Sequence, residues 1–422
     1  MRYIGMDVHR DFCEVAVVEE DGRVRSAGRI ASTLEELELF AGSLGADDVV
    51  ALEATSGAGL IAEIIEPHVA AVLVANTRKL PQISKAKAKT DRLDARTLAR
   101  LAGSGFLETV WAPDERTRAL RRLCARREAL VRARTRAKNE AHAVPARNLC
   151  GRPPVSDCFG KRGRAWLADL ELPLDERLTL DGCLRQIDFL DSEVSALEAA
   201  LATQALDSPE ILRLMTVPGV SLHTAAAFMA SVGDIRRFAS ARQLVGYLGL
   251  DPRVRQSGNG EARHGRISKA GSSLARGMLG EAAWSVAQTP GPLRAFFERI
   301  RARKGPQVAA TATARKLACL FWCLLTREED YAYARPSMTR SKIRELELAA
   351  GAPRRKGVRG IAGNKNAQTR EAEREIARQA ETAYRRLVND WKATRPARAG
   401  AGATTGRASR GPSSGQAARQ TP

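Results

Sequence analysis

The order of hydrophobic periodicities in the first ~105 residues constrains the fold more than any other feature of this chain. Residues 2–7 (Arg-Tyr-Ile-Gly-Met-Asp) and 13–18 (Cys-Glu-Val-Ala-Val-Val) read as short strands, and 22–30 as a third that closes a meander. A helix follows from Ser32-Thr33 through Leu39, with Glu35 and Glu36 in its first turn, where the helix dipole favours acids. Residues 49–53 form a short buried strand, 58–65 a helix and 69–74 another buried strand. After a basic segment (Arg78, Lys79, Lys85, Lys87, Lys89), residues 91–101 are strongly helical.

Three strands, helix, strand, helix, strand, helix is the order of an α/β RNase H-like domain, here spanning residues 1–110. Residues 111–205 carry no strand signal. From Glu115 to His142 the chain is rich in Arg, Ala and Leu at helical spacing, Pro145 and Gly151-Arg-Pro-Pro154 break it, and a second amphipathic helix runs from about Leu184 to Leu201. This pattern predicts a helical hairpin or coiled-coil arm, whose Arg-rich helix reads equally as a phosphate-tracking face and as a solvated one. Residues 206–330 predict a mostly α second unit. From Tyr331 to residue 422 the chain holds 20 Lys/Arg against 7 Asp/Glu. It reads as a basic, largely disordered extension, ending in Gly/Ala/Ser/Thr/Arg low complexity.

Charge narrows the function classes. The 422 residues carry 68 Lys plus Arg against 48 Asp plus Glu, a net +20, and such a field attracts polyanions because neutralised phosphates release counterions. No apolar run is long enough to suggest a membrane span, and the N-terminus lacks a signal-peptide pattern. Seven scattered cysteines (Cys13, Cys124, Cys150, Cys158, Cys183, Cys319, Cys323) suggest reduced thiols. Cys319 and Cys323 lie one helical turn apart without a second Cys/His pair, so packing is the default over zinc. A cytoplasmic, nucleoid-associated protein with no membrane partner is expected.

Four carboxylates carry the chemistry. Asp7 ends the first strand, Glu53 ends the fourth, and Asp91 and Asp94 sit i, i+3 at the start of a helix, projecting from one face. Taken singly, a strand-end Asp is also a turn former, and helix N-termini tolerate acids. Taken together in an RNase H-like fold, they crowd one sheet edge, where mutual repulsion requires cations. Two Mg²⁺ (or Mn²⁺) held about 3.5–4 Å apart by such oxygen ligands can activate a nucleophile and stabilise a leaving oxygen.

The second half adds a polar loop. Thr216-Val-Pro-Gly-Val-Ser221 reads like half of a helix-hairpin-helix, lacking its second glycine, and equally like a packing turn. Ser257-Gly-Asn-Gly260 is glycine-flanked and surrounded by Arg253, Arg255, Arg263, His264, Arg266 and Lys269. This reads as a mobile loop suited to gripping a phosphodiester, or as a plain Gly-rich connection.

The runs Tyr3-Ile-Gly-Met-Asp7, Leu52-Glu53-Ala-Thr-Ser-Gly57 and Lys89-Thr-Asp91-Arg-Leu-Asp94-Ala-Arg96 resemble the DEDD insertion-sequence transposases, relatives of the Piv-type invertases with a RuvC-like N-terminal domain. The run from Pro218-Gly-Val through Tyr247-Leu-Gly-Leu250, Ser257-Gly258 and Gly265-Arg-Ile-Ser-Lys-Ala-Gly271 resembles the C-terminal domain of the same transposases. The resemblance covers residues 1 to about 327 in the right order. It implies that Asp7, Glu53, Asp91 and Asp94 bind the catalytic metals, with Asp11 outside the motif. It further implies that Ser257 is the nucleophile, with Ser268, Ser272 and Ser273 as alternatives. The implied partners are DNA (element ends and target), a structured guide RNA, and further copies of the chain in a dimer or tetramer. Two other classes compete: a RuvC-like Holliday-junction nuclease, which needs the acids but no serine, and a non-catalytic nucleic-acid-binding protein.

Overall fold

The computed structural model describes residues 1–76, 80, 90–256, 258, 262–354 and 361–394. Strands β1 (Tyr3–Val8), β2 (Phe12–Val18), β3 (Val24–Ala31), β4 (Val49–Glu53) and β5 (Ala71–Ala75) form one mixed sheet in the order β3-β2-β1-β4-β5. β2 is antiparallel to β1 and β3, whereas β1, β4 and β5 run parallel, an order consistent with the expected RNase H-like domain.

Strand alternation divides the sheet's duties. Ile4, Met6, Val8, Val50 and Leu52 point to one face and pack against helices α1 (Leu34–Gly42) and α2 (Ala58–Ile65) through Leu37, Ala41, Ile61 and Ile65. Each such buried side chain contributes about 1.5–3 kcal/mol. The opposite face of β1 carries Gly5 and Asp7 and is covered by α3 (Asp91–Gly103). Gly5 permits that contact, since a Cβ there would lie 2.1 Å from Ala95 O and 2.5 Å from Ala99 N. Thr90 starts α3 by accepting a hydrogen bond from Leu93 N at 3.3 Å.

Beyond Trp111 the described chain is almost all helical. α4 (Glu115–Arg147) and α6 (Leu174–Leu206) are 33 residues each, about 50 Å long at 1.5 Å per residue, and pair along their length. Leu130, Leu190 and Val194 fill one section of the seam, while Ala141, Val144, Leu180 and Cys183 fill another. Both helices outrun the sequence expectation. Pro145 lies in the final turn of α4 and lacks the N–H that would reach the Ala141 carbonyl, yet the helix runs on to Arg147 and Asn148 N closes on Val144 O at 3.2 Å. The short α5 (Lys161–Ala168) packs into the far end of the hairpin through Leu167.

The second unit wraps α7 (Pro209–Met215), α8 (Leu222–Val232), α9 (Ala241–Tyr247), α10 (Ser273–Ala287), α11 (Pro292–Lys304) and α12 (Pro306–Arg327) around Phe228, Leu279 and Phe321. A two-stranded hairpin, β6 (Pro252–Arg255) and β7 (Arg263–Ile267), projects from it. α12 is long and apolar enough to cross a membrane, yet Leu317, Ala318 and Phe321 are buried in this core. Cys319 packs against the same core, and all seven cysteines are free.

The extension departs from expectation. Residues 336–349 form α13 and 361–394 form α14, so the segment from 331 is not largely disordered over that range. Lys342 on α13 donates to the carbonyls of Met215, Val217 and Val220 at 2.6–3.0 Å, and Glu381 on α14 is buried against Gly291 N and Arg294. These charged bonds, with Leu346 and Ala377 buried, hold both helices onto the second unit. The low-complexity stretch 395–422 lies outside the described residues.

Candidate metal centre and nucleic-acid interface

The sheet and α3 bring Asp7, Glu53 and Asp91 together. Asp7 follows Gly5 on the face covered by α3 and is only 3% exposed. The β1–β4 register aligns Met6 with Leu52, so the next residue pair places Glu53 alongside Asp7 on the same face. Burial, and then a hydrogen bond to the Glu53 side chain, push the Asp7 carboxyl up to about 6 against the pull of nearby His9. Asp91 and Asp94 occupy the first turn of α3, and Asp94 is 6% exposed. Asp11 is largely exposed beside Arg10.

Two residues not anticipated from sequence complete the cluster. His9 Nε2 lies 3.1 Å from Asp7 Oδ2 and 3.3 Å from Asp91 Oδ1. Glu14 pairs directly opposite Asp7 across β1–β2, is 2% exposed, and is neutralised by Arg29 at 2.9 Å and Arg92 at 3.4 Å. Arg29 also reaches Asp91 at 3.7 Å and lies over the Phe12 ring. Both residues were visible as a pattern: His9 is two residues past Asp7, and the short turn between β1 and β2 places Glu14 opposite it.

One donor atom each from Asp7, His9 and Asp91 lies within 4.8 Å of the others, an arrangement that could hold a metal ion. A buried carboxyl beside a second carboxyl is the environment in which a cation relieves repulsion, and the oxygen-rich donor set suits a hard divalent ion. The residues present therefore fit a metal.

The polar loop of the second half is braced at its base. Gly249 and Gly271 mark a close crossing of two chain segments: a Cβ on Gly271 would meet Tyr247 O at 1.9 Å, and one on Gly249 would meet Ala270 N at 2.5 Å. Ser268 donates its hydroxyl to Asp251 at 2.6 Å, and the Ser272 hydroxyl accepts from Ala275 N to cap α10. Both hydroxyls are thus engaged in structure. Arg253, Arg255, Arg263 and Arg266 lie on the exposed hairpin. Ser257, Asn259 and Gly260 lie outside the described residues, as do Lys79, Lys85, Lys87 and Lys89.

Two segments left open in sequence, nucleic-acid surface or ordinary structure, show structural roles for many of their groups. The 216–221 turn is a packing turn: its carbonyls are held by Lys342, and a Cβ on Gly219 would lie 2.8 Å from Val286 N. Many arginines of α4 make internal pairs, including Arg118–Glu63, Arg127–Glu198 and Arg134–Asp191 at 2.5–2.6 Å, while Arg126 and Arg136 remain exposed. Trp111 packs on Gly233 and under Arg237 of the second unit, while Arg118 of α4 bonds Gly59 O of the sheet domain.

Residues 4–144 match a transposase family model, the DEDD transposase of IS110 elements, and residues 212–298 match the transposase IS116/IS110/IS902 family. A probable family 20 transposase of Pseudomonas aeruginosa is 31% identical over 261 residues, covering 58% of this chain and 74% of its own length. The chain belongs to the IS110-family DEDD transposases. The transposase for insertion sequence element IS1111A of Coxiella burnetii is 27% identical over 353 residues, covering 78% of this chain and 91% of its own. A putative transposase of Sinorhizobium fredii is 31% identical over 272 residues, covering 58% and 67% respectively. As an IS110-family transposase this chain acts on DNA, by cleavage and rejoining, and its DEDD domain goes with divalent-metal use. Helix α14 lies beyond both family models.

Proposed function

We propose that this IS110-family transposase cuts and rejoins the ends of an insertion sequence through a composite site, with a metal-binding acid cluster on the sheet domain and a serine on the second unit. The observation that carries the proposal is the buried Asp7 carboxyl hydrogen-bonded to Glu53 and bridged through His9 to Asp91. Asp7, Glu53, Asp91 and Asp94 would hold Mg²⁺ or Mn²⁺. When bound, the ions supply Lewis-acid polarisation of the scissile phosphate and stabilise the charge that develops on the departing oxygen.

Ser257 is the proposed nucleophile. Its support is the resemblance of the Ser-Gly motif, its place between two strands of an arginine-bearing hairpin, and the engagement of Ser268 and Ser272 in structural bonds. Attack of the Ser257 hydroxyl on phosphorus forms a phosphoserine ester, breaks one backbone P–O bond, and leaves the departing deoxyribose oxygen to take up a proton. The covalent link keeps the ester energy for rejoining. Arg253, Arg255, Arg263 and Arg266 would grip the flanking phosphates, a role suited to guanidinium forks.

Docking of this hairpin against the acid cluster, within one chain or between protomers, would assemble the site only on DNA. A dimer or tetramer follows from the second arrangement. A structured RNA from the element is the proposed guide, supported by the family resemblance and the +20 charge. The experiment is cleavage of a plasmid bearing an element end, with the RNA and Mg²⁺, comparing wild type with Glu53→Gln and Asp94→Asn. Loss of cutting in both variants at unchanged DNA affinity is expected; full cutting by either would sink the proposed ligand set.

A further inference from the structure

We infer that His9 supplies a nitrogen ligand to the same divalent cation that Asp7 and Asp91 hold, so that the centre is a mixed nitrogen–oxygen site and not an oxygen-only one. The inference rests on the metal-site reading above and adds to it a donor outside the four acids. His9 Nε2 is 3.1 Å from Asp7 Oδ2 and 3.3 Å from Asp91 Oδ1. Neighbouring donors around an octahedral cation with bonds of about 2.1–2.2 Å lie roughly 3.0–3.1 Å apart. The imidazole nitrogen therefore stands from both carboxylate oxygens at nearly the separation that ligands of one ion adopt.

The ring is held in that position. His9 N donates to Phe12 O at 2.9 Å, and the Ser32 hydroxyl donates to His9 O at 3.0 Å, fixing the backbone on both sides. The imidazole rests against the Phe12 ring at 5.0 Å between centroids, and the Arg29 guanidinium lies over that same ring at 4.1 Å. With its side chain 39% exposed, His9 is open to an incoming ion, yet its nitrogen is aimed at the cluster and not at bulk water.

The competing role is that of a counter-cation: a protonated His9 bridging two carboxylates and displaced when metal enters. The two roles differ in chemistry. A neutral imidazole in the inner sphere favours a borderline ion such as Mn²⁺ over Mg²⁺, whereas a displaced counter-ion confers no such preference.

Pulsed electron paramagnetic resonance on the full-length protein with Mn²⁺ alone separates them. The expected result is a ¹⁴N hyperfine coupling in wild type, replaced by a ¹⁵N coupling when the protein's histidines are ¹⁵N-labelled, and lost in His9→Gln. The labelling arm uses the wild-type chain and so does not depend on the variant folding; circular dichroism compares the variant with wild type. Competition should also show a Mn²⁺-over-Mg²⁺ preference that shrinks in His9→Gln. Bound Mn²⁺ with oxygen-only surroundings in wild type, or a nitrogen coupling that survives His9→Gln, overturns the His9 assignment and leaves the acid cluster standing. Failure of wild type to bind Mn²⁺ at millimolar concentration overturns the metal-site reading itself, and this inference with it.

Discussion

Gly5→Ala should disable the acid cluster without touching any acid. The added methyl would lie 2.1 Å from Ala95 O and 2.5 Å from Ala99 N, both backbone atoms of α3. Ordinary contacts begin at about 3.5 Å, so α3 must lift from β1 by roughly 1 Å or more. Overpacking of this kind costs about 1–3 kcal/mol, and the lift also loosens Ala95, Leu98 and Ala99, which are fully buried. A total of about 3 kcal/mol corresponds to roughly a 10 °C fall in the melting temperature of a domain of this size. The same movement carries Asp91 and Asp94 away from Asp7, and a misplacement of about 1 Å at a reacting centre can lower rate by about 10²-fold. Calorimetry and plasmid cleavage measure the two effects. Gly42→Ala is the control: a Cβ there meets nothing within 4 Å, and the change at the end of α1 should be neutral or slightly stabilising. A Gly5→Ala protein that melts with wild type and cuts at the wild-type rate would refute the idea that contact of α3 with β1 sets the site.

Asp7→Asn should raise the stability of metal-free protein at pH 8 while abolishing cleavage. The folded Asp7 value is raised to about 6 from 3.8, so its stabilising contribution is complete below the unfolded value and is lost as pH rises through about 6. That loss is on the order of 2–3 kcal/mol, and Asn escapes it; melting curves at pH 5 and 8 check the sign, and equal pH dependence in both proteins would contradict it. Lys342→Met should cost about 3 kcal/mol because three buried carbonyls lose a charged donor, visible as a lower melting temperature with α14 still helical. Truncation after residue 394 removes five arginines and no acid, so the slope of log K for DNA against log salt should shrink by up to about 4–5. An unchanged slope would show that the last residues do not touch phosphate.

The sheet domain was legible because its signals are local. Strand alternation places Gly5 and Asp7 on one face, and an i, i+3 acid pair at the head of a helical pattern suits the first turn of a helix. Asp7, Glu53 and Asp91 are gathered by that logic, since parallel pairing of β1 with β4 follows from the element order. His9 and Glu14 escaped because their importance depends on register and on a tight turn, which a residue-type search does not weigh. The length of the long helices was not legible: Pro145 looks like a breaker, yet α4 runs on to Arg147. The extension misled for a related reason. Arginine-rich composition reads as disorder, whereas Lys342 and Glu381 each find a specific partner on the second unit and Glu373 bonds Ser337 on α13, tertiary effects invisible in local pattern. The 216–221 turn stayed open in sequence between a phosphate contact and a packing turn, because only the structure reveals Lys342 on its carbonyls.

The most direct test of the composite mechanism is a protein–DNA adduct assay with cognate element ends, RNA and Mg²⁺, run on denaturing protein gels. Wild type, Asp7→Ala and Ser257→Ala are compared under one set of conditions. A DNA-linked protein band in wild type that is absent from both variants is the predicted result. An adduct that persists in Ser257→Ala would place the nucleophile on another residue, and adduct-free cleavage in that variant at the wild-type rate would leave a metal nuclease with a second unit that only binds.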